Sequence, residues 1–156
     1  MGAIGNGVAK RLTGFGSNIL YFDPWLEKKN INFNRSKDLN DLITSSDFIC
    51  LTCNLTESNF HMFDMDQFRL MKEDAYIINV ARGGLINTDS LIYALNNKLI
   101  AGAALDVYEQ EPLNIDSPLC SMRNVILGSH NANNQRAAVE AVHETTIKNL
   151  LSILKP

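Results

Sequence analysis

The feature that most restricts the fold of this chain is a regular alternation of two kinds of segment. Short apolar runs rich in Ile, Val, Phe and Tyr alternate with segments whose apolar residues recur at helical spacing. Such alternation predicts parallel strands connected by helices. The apolar runs have no polar face, so we expect helices to cover both sides of the sheet. The predicted fold class is therefore α/β, with a doubly wound parallel sheet.

The boundaries of the elements follow from the same patterns. Strands are expected at residues 19–22, 48–53, 75–80, 100–105 and 125–127. Helices are expected at residues 4–13, 39–44, 65–71, 88–96 and 133–154. No linker, repeat or low-complexity tract interrupts the series, so residues 1–156 are predicted to belong to one domain.

The last predicted helix carries an apolar stripe. Its members recur at helical spacing and are Val139, Val142, Ile147, Leu150, Leu151 and Leu154. We expect this stripe to pack on the domain rather than to bind a separate partner.

Charge and composition narrow the class of partner. The net charge is -3 and no run of Lys and Arg forms a basic patch, so neither nucleic acid nor a membrane is an expected partner. The sequence shows neither a signal peptide nor a membrane-spanning apolar run, which predicts a cytoplasmic protein with a small-molecule partner. Cys50 and Cys53 are three residues apart on a predicted strand and point to opposite faces, so we interpret them as structural.

A glycine turn leads directly into the first predicted helix. Gly2, Ala3, Ile4 and Gly5 precede a helical segment, where backbone amides and the helix dipole can bind a pyrophosphate. The next predicted strand is followed by Asp23, whose carboxylate can bind both hydroxyls of an adenosine ribose and would repel a phosphate there. These residues predict a Rossmann-type domain that binds NAD in preference to NADP.

The glycine pattern is incomplete at its start. In the fingerprint G-x-G-x-x-G, Gly2 and Gly5 match the second and third glycines, and Met1 stands where the turn should begin. We therefore expect a sheet truncated at the N-terminus, with its first and central strand missing. Each buried backbone group left unpaired costs about 1–3 kcal/mol, so the chain alone is predicted to be poorly stable unless another segment fills the gap.

Polar loops follow four of the predicted strands, at the edge where a doubly wound sheet binds its ligand. Three of these loops contribute one ionisable residue each, namely Arg82, Glu111 and His130. Any one of them alone is better explained as a surface residue, and only their joint placement indicates a site. A guanidinium can hold a carboxylate, an imidazole can exchange a hydroxyl proton, and a carboxylate can orient the imidazole. This set suits the reduction of a 2-keto acid by a nicotinamide cofactor, which needs no metal.

The segments INVARGGLINTDSLIYALNNKLIAGAALDVYEQEPL and NVILGSHNANN resemble the D-isomer-specific 2-hydroxyacid dehydrogenase family. The resemblance covers essentially the whole chain, and residues 79–112 are highly specific to the family. It implies a homodimeric enzyme whose NAD-binding domain is inserted into a flavodoxin-like substrate domain, with the active site between them. This chain is expected to carry part of the NAD-binding domain, with the substrate domain absent.

The resemblance also implies roles for individual residues. The catalytic arginine, glutamate and histidine of the family fall on Arg82, Glu111 and His130. Glu111 is preferred to Glu109 because the acid of the motif directly precedes proline, and Asp106 is expected near the nicotinamide carboxamide. The other expected cofactor-binding residues are Gly2, Ala3, Ile4 and Gly5 at the pyrophosphate, Asp23 at the ribose, Cys53, Asn54 and Thr56 beside the nicotinamide, and Val80, Ala81, Arg82, His130 and Asn131.

Some features depart from the family pattern. Most members have Thr-Pro before the catalytic histidine, whereas this chain has Gly128-Ser129, which is similar to a subgroup labelled phosphoglycerate dehydrogenase. This likeness settles no substrate: the family resemblance implies a small D-2-hydroxy acid or 2-keto acid, with 3-phosphoglycerate among the candidates. A NAD-sensing, corepressor-like module and an inactive fragment are the alternatives to an enzyme. His61 and His143 have no acid at useful spacing and are interpreted as structural.

Overall fold

The computed structural model of the protein describes residues 1–26 and 32–154. Within these ranges the strands are β1 (Leu20–Tyr21), β2 (Asn34–Arg35), β3 (Phe48–Leu51), β4 (Tyr76–Asn79), β5 (Gly102–Leu105) and β6 (Val125–Leu127). The α-helices are α1 (Ala3–Thr13), α2 (Leu39–Ser45), α3 (Met65–Leu70), α4 (Thr88–Asn96) and α5 (Arg136–Leu154). Short 3-10 turns occupy Glu57–Asn59, Gly83–Leu85 and Pro118–Ser121.

Four strands form the main sheet. They lie in the order β3-β4-β5-β6 and are all parallel. In register, Ile77 of β4 lies between Ile49 of β3 and Ala103 of β5. The crossovers run through α3 and α4, and the connection from β5 to β6 contains a 3-10 turn. The α/β fold with a parallel sheet that the sequence predicts is therefore confirmed.

The hydrophobic core lies on one face of this sheet. Side chains at alternate strand positions, such as Ile49 and Ile77, point into it and are almost completely buried. Helices α2, α3 and α4 close it with Ile43, Phe68 and Leu91, which are also buried. Burial of apolar area on this scale fixes the register of the sheet, because a slip by one residue would expose the whole buried row.

The opposite face of the sheet does not match the expectation that helices cover both sides. Phe48, Cys50, Tyr76 and Ile126 are exposed there, and the rings of Phe48 and Tyr76 stack with centroids 5.5 Å apart. The expectation was wrong for the described part of the chain because an apolar residue pattern records a preference for burial and does not identify the covering element.

Helix α5 also departs from the prediction. None of its residues is buried, and its apolar side chains stand exposed, with Leu151 at 54% and Leu154 at 67% of full exposure. The predicted packing of this stripe on the domain is therefore wrong. Helical spacing places apolar side chains on one stripe but does not specify the surface that this stripe contacts.

The two strands nearest the N-terminus form a separate parallel pair. Leu20 lies opposite Asn34 and Tyr21 opposite Arg35, and this pair is not hydrogen-bonded to the main sheet. The expected missing first strand stays a prediction. The predicted low stability of the chain alone stays a prediction. Strand β2 was not predicted because it consists of two exposed polar residues.

Side-chain caps fix where three helices begin after the strands. The carboxylate of Asp38 accepts a hydrogen bond from the Asp41 amide at 2.8 Å, and Asn87 Oδ1 accepts one from the Ser90 amide at 3.0 Å. Asp64 and the third residue of α3 form a reciprocal capping box. Because such caps satisfy amides that the helix leaves free, they hold the helix starts near the ends of the strands.

Candidate functional site

The candidate site lies at the edge of the sheet where the strands end. Because β3 to β6 are parallel, the loops that follow them emerge at the same edge. We call the loops after β4, β5 and β6 the chemical end. The glycine turn at residues 2–5 together with Asp23 is called the nucleotide end.

The structure brings two of the predicted catalytic residues into direct contact. His130 Nδ1 and Glu111 Oε2 are 2.7 Å apart, and the other carboxylate oxygen accepts a hydrogen bond from the Tyr108 amide at 3.0 Å. The hydrogen bond with His130 lowers the pKa of Glu111, and the Tyr108 amide and the charges of His130 and Arg82 lower the pKa further. Glu111 is therefore ionised near neutral pH and holds the imidazole by Nδ1, which leaves Nε2 for proton exchange.

Arg82 follows β4 in a loop that a buried asparagine shapes. Asn79 Nδ2 donates to the Arg82 carbonyl at 2.9 Å, and Asn79 Oδ1 accepts from the Ala81 amide at 3.1 Å. The Arg82 guanidinium donates to the Ala81 carbonyl at 2.6 Å and lies near enough to Glu111 to lower the pKa of that carboxyl. The sequence argument did not single out Asn79, although a polar residue at the end of an apolar strand is a usable signal.

The Arg82 loop and the Glu111 loop pack backbone to backbone. A Cβ atom added at Gly83 would lie 1.9 Å from the carbonyl carbon of Tyr108, which is closer than any real contact. Only glycine fits at this position. The close approach fixes the distance between the loop that carries Arg82 and the loop that carries Glu111.

Asp106 anchors the loop that carries His130. Its two carboxylate oxygens accept hydrogen bonds from the amides of Asn131 at 3.1 Å and Ala132 at 2.9 Å. His130 itself has a φ of 56°, in the left-handed region, so its backbone conformation depends on these neighbouring contacts. The resemblance placed Asp106 near the nicotinamide carboxamide; in the structure its contacts are with the His130 loop.

Tyr108 makes a second connection to the same loop. Its hydroxyl donates to the Gly128 carbonyl at 2.6 Å, and its backbone amide binds Glu111. Tyr108 therefore joins the loop of Glu111 to the loop of His130, the two predicted catalytic partners. The sequence argument missed this role because nothing in the residue pattern distinguishes Tyr108 from an ordinary aromatic residue.

The nucleotide end forms where α1 begins. Gly2 is the N-cap of α1 and has no side chain to cap the helix. The space beside it is open, since nothing lies within 4 Å of a Cβ added there. Gly5 is close to β3, since an added Cβ would be 2.9 Å from Thr52 Oγ1. Ala3 and Ile4 are exposed in the first turn of the helix, where amides have no partner within the helix.

Asp23 lies beside this glycine turn, as expected. Its carboxylate contacts the amino group of Met1 and accepts a hydrogen bond from the Trp25 amide at 3.1 Å. Burial acts to raise the pKa of Asp23, but the hydrogen bonds from the amino group and Trp25 outweigh it and lower the pKa. Burial also raises the pKa of the Cys53 thiol, and the charge of Asp23 adds to that effect, so Cys53 is within electrostatic reach of Asp23.

The loop after β3 contains Cys53, Asn54 and Thr56 at the same edge of the sheet. Asn59 organises this loop: its amide nitrogen donates to the Asn54 carbonyl at 2.8 Å, and its amide oxygen accepts from the Thr56 amide at 2.7 Å. The Thr56 hydroxyl is 3.0 Å from Ser58 Oγ. The sequence argument did not include Asn59. In the loop after β4, Val80 is exposed and Ala81 is buried.

The structure gives one of the two remaining histidines a partner that residue spacing did not predict. His61 does have an acid partner, because its Nε2 contacts Oε1 of Glu109. These residues lie on different loops and are far apart in the sequence, so spacing could not reveal the contact. His143 lies exposed on α5 and has no ion-pair partner in the part of the chain that the structure describes.

The residues of the nucleotide end fit a dinucleotide. An open glycine turn meets the N-terminus of a helix, a carboxylate stands beside it, and the chemical end lies along the same edge. Within residues 1–26 and 32–154, no group of three potential ligands could hold a metal ion, and no helix could cross a bilayer. Fold and site together define the class as a dinucleotide-binding domain.

A sequence model of a known protein family matches most of this chain. The model described as "D-isomer specific 2-hydroxyacid dehydrogenase, NAD binding domain" matches residues 1–132. The chain therefore belongs to the D-isomer-specific 2-hydroxyacid dehydrogenase family, and its matched part is the NAD-binding domain of that family.

Individual relatives agree with this assignment. A glyoxylate reductase of Thermofilum pendens is 39% identical over 99% of this chain and 47% of its own length. The structure of a D-lactate dehydrogenase with NAD+ from Lactobacillus jensenii matches with a TM-score of 0.88 and 28% identity, over 98% of this chain and 50% of that one. The structure of an NADPH-dependent glyoxylate/hydroxypyruvate reductase from Sinorhizobium meliloti, in complex with NADP and malonate, matches with a TM-score of 0.89 and 30% identity. The match covers 97% of this chain and 47% of that one. The chain thus spans about half the length of the relatives it matches.

Proposed function

We propose that the protein carrying this chain reduces small 2-keto acids to D-2-hydroxy acids with a nicotinamide cofactor, and catalyses the reverse oxidation. The observation that supports this most directly is the 2.7 Å contact between His130 and Glu111, within reach of the charge of Arg82. In the forward direction the keto acid, NADH and one proton give the hydroxy acid and NAD+. When bound, the cofactor supplies the hydride.

The side chains of this chain supply the remaining chemistry. His130 donates the proton from Nε2 to the substrate oxygen, and Glu111 holds the ring by Nδ1 and stabilises its protonated form. Arg82 binds the substrate carboxylate, for which the planar guanidinium offers two parallel hydrogen bonds. The remaining predicted residues, from Cys53 to Thr56 and at Val80, Ala81, Asp106 and Asn131, are proposed to line the cofactor.

The cofactor is proposed to be NAD rather than NADP. Gly2, Ala3, Ile4 and Gly5 would hold the pyrophosphate, and Asp23 would hold the ribose hydroxyls. The pKa of Asp23 is lowered, so its carboxylate is negative near neutral pH and would repel a ribose phosphate.

The proposed substrate is glyoxylate or a keto acid of similar size. The name of the Thermofilum pendens relative supports this choice, and 3-phosphoglycerate is the less favoured candidate. Residues 1–156 are proposed to be part of the NAD-binding domain of a longer polypeptide that also carries a substrate domain. That polypeptide is proposed to act as a homodimer in the cytoplasm.

The experiment uses the intact polypeptide that contains this chain. NADH oxidation is followed with glyoxylate, and NAD reduction with 3-phosphoglycerate. His130→Ala should lower kcat about 100-fold or more, because the proton donor is lost, while NADH binding measured by fluorescence changes little. His143→Ala, on exposed α5, is the matched control and should keep full activity. If the protein binds the cofactor but turns over no 2-keto acid, the proposed enzymatic function is wrong and the alternative of an NAD-sensing module is favoured.

A further inference from the structure

A second histidine–carboxylate pair lies next to the proposed catalytic pair. His61 Nε2 contacts Glu109 Oε1, and Glu109 Oε2 accepts a hydrogen bond from the Thr88 amide at 2.6 Å. The side chains of His61 and Glu109 are 26% and 28% exposed, against 48% and 37% for His130 and Glu111. The second pair is thus the better shielded of the two, and it connects the loop after β3, the start of α4 and the loop after β5.

His61 is held in one orientation by contacts on several sides. Its amide donates to the Gly84 carbonyl at 2.8 Å, its Nδ1 is 3.4 Å from Asn87 Nδ2, and its ring stacks on Phe60 with centroids 3.8 Å apart. Its φ of 52° lies in the left-handed region, which these contacts must stabilise. The effect of all these restraints is to direct Nε2 at Glu109.

Glu109 is two residues from Glu111, and the backbone directly before Glu109 makes the contacts that hold the Glu111 side chain and this loop in place. The Tyr108 amide binds Glu111 Oε1 at 3.0 Å, and the peptide between Tyr108 and Glu109 packs against Gly83. Fixing the Glu109 side chain between His61 and Thr88 therefore restricts the backbone that orients Glu111 toward His130.

We propose that His61 and Glu109 are a positioning pair for the catalytic residues. By holding the loop after β5 against α4 and the loop after β3, the pair keeps Glu111 facing His130. This inference rests on the proposed function for its kinetic consequence, and on geometry alone for its effect on Glu111.

The kinetic test uses the intact polypeptide and its reduction of glyoxylate. His61→Ala and Glu109→Ala should each lower kcat about tenfold and leave the KM for NADH within about twofold, because they act on the proton-transfer partners. The double variant should be no worse than either single variant, since both remove one interaction. His61→Gln should recover kcat to within about threefold, because its side-chain amide can donate to Glu109.

A matched control separates positioning from general stability. Ser90→Ala removes the hydrogen bond from Ser90 Oγ to Asp64 Oδ1 at the same corner of the fold without touching Glu109. It should lower the thermal midpoint about as much as His61→Ala and leave kcat unchanged. If the two variants lower kcat equally, or if His61→Ala lowers only stability, the positioning proposal is overturned.

A readout without activity distinguishes the failure of this proposal from the failure of the proposed function. Side-chain carboxyl NMR measures the pKa of Glu111, which contacts with His130 and the Tyr108 amide keep low. In His61→Ala the pKa of Glu111 should rise toward its ordinary value, whereas in Ser90→Ala it should stay low. An unchanged Glu111 pKa in His61→Ala overturns the positioning role. A raised pKa in a protein that reduces no 2-keto acid supports that role and overturns the proposed function alone.

Discussion

The nucleotide end of the site rests on two strands of two residues each, whereas the chemical end rests on a four-stranded sheet with a buried core. At the chemical end, the Asn79 side chain shapes the Arg82 loop, and hydrogen bonds accepted by Asp106 and donated by Tyr108 connect the loop after β5 to the loop after β6. At the nucleotide end, the Asp23 carboxylate contacts the amino group of Met1 and the backbone of Trp25 and Leu26. This difference indicates that the structure holds the proposed catalytic side chains in place by more contacts than the proposed cofactor-binding residues.

The largest effect is expected from a substitution that disturbs the packing between the loops of the chemical end. Gly83→Ala places a methyl group against the carbonyl of Tyr108, and backbone atoms cannot move aside cheaply. We expect a loss of about 3 kcal/mol in the free energy of unfolding, measured by urea denaturation. Gly84→Ala is the control, because its Cβ would meet only side-chain atoms of Leu55 and Phe60 at 3.1 Å. Equal losses for the two variants would contradict the argument.

A second prediction tests the nucleotide end. Asp23→Ala removes the carboxylate proposed to bind the ribose, and should weaken NADH binding about tenfold, or about 1.4 kcal/mol. Binding of NADPH should change less, so the preference between the two cofactors narrows. Fluorescence titration of the intact polypeptide measures both constants. Asp47→Ala removes another surface acid, paired with Lys72, and should leave both affinities as they were.

A smaller effect is expected where one hydrogen bond joins two loops of the chemical end. Tyr108→Phe removes the hydroxyl that donates to the Gly128 carbonyl and keeps the ring. The free energy of unfolding should fall by about 1 kcal/mol, with a loss of kcat of at most about fivefold. Tyr93→Phe on α4, where the side chain is half exposed, serves as control. A larger loss of kcat in Tyr93→Phe would refute the role of Tyr108.

The smallest expected effect is a loss of stability in the His130 loop when the pH is lowered. The folded-state pKa of Glu111 is lowered, so its contribution to stability is complete above the ordinary value of 4.5 and is lost as the pH falls through the lowered pKa. Below that ordinary value, the His130 loop should therefore loosen before the core unfolds. Hydrogen exchange of the Asn131 and Ala132 amides against that of the Ile77 amide measures the difference. Simultaneous loss of protection at all three would contradict it.

Much of the fold could be predicted from residue patterns, because those patterns are local. Strand β6 and helix α4 were predicted with their observed boundaries, and the other main elements differ from prediction by a few residues at their ends. Strand β2 was not predicted, because its two exposed polar residues show no hydrophobic periodicity. The placement of Arg82, Glu111 and His130 at one edge of the sheet was predictable, because each follows a different strand and parallel strands end at one edge.

The remaining part of the site could not be predicted in the same way. Tyr108 joins two loops through a hydrogen bond to Gly128 on another segment. Asn79 and Asn59 bond to backbone groups of their own loops, and the residue pattern does not specify the conformation of those loops. His61 and Glu109 meet across the edge of the sheet, since their loops follow β3 and β5, which lie on either side of β4. Residue spacing along the chain contains no information about such contacts.

The sequence by itself determined the order of strands and helices and the edge at which the polar loops gather, because periodicity and chain direction are properties of the sequence. Only the tertiary structure decided which side chains meet, which face of the sheet is buried, and that the stripe of α5 stands exposed. The physical reason is that a hydrogen bond or an apolar contact depends on distances of a few ångströms between residues far apart in the chain. Those distances are set by the packing of the whole domain.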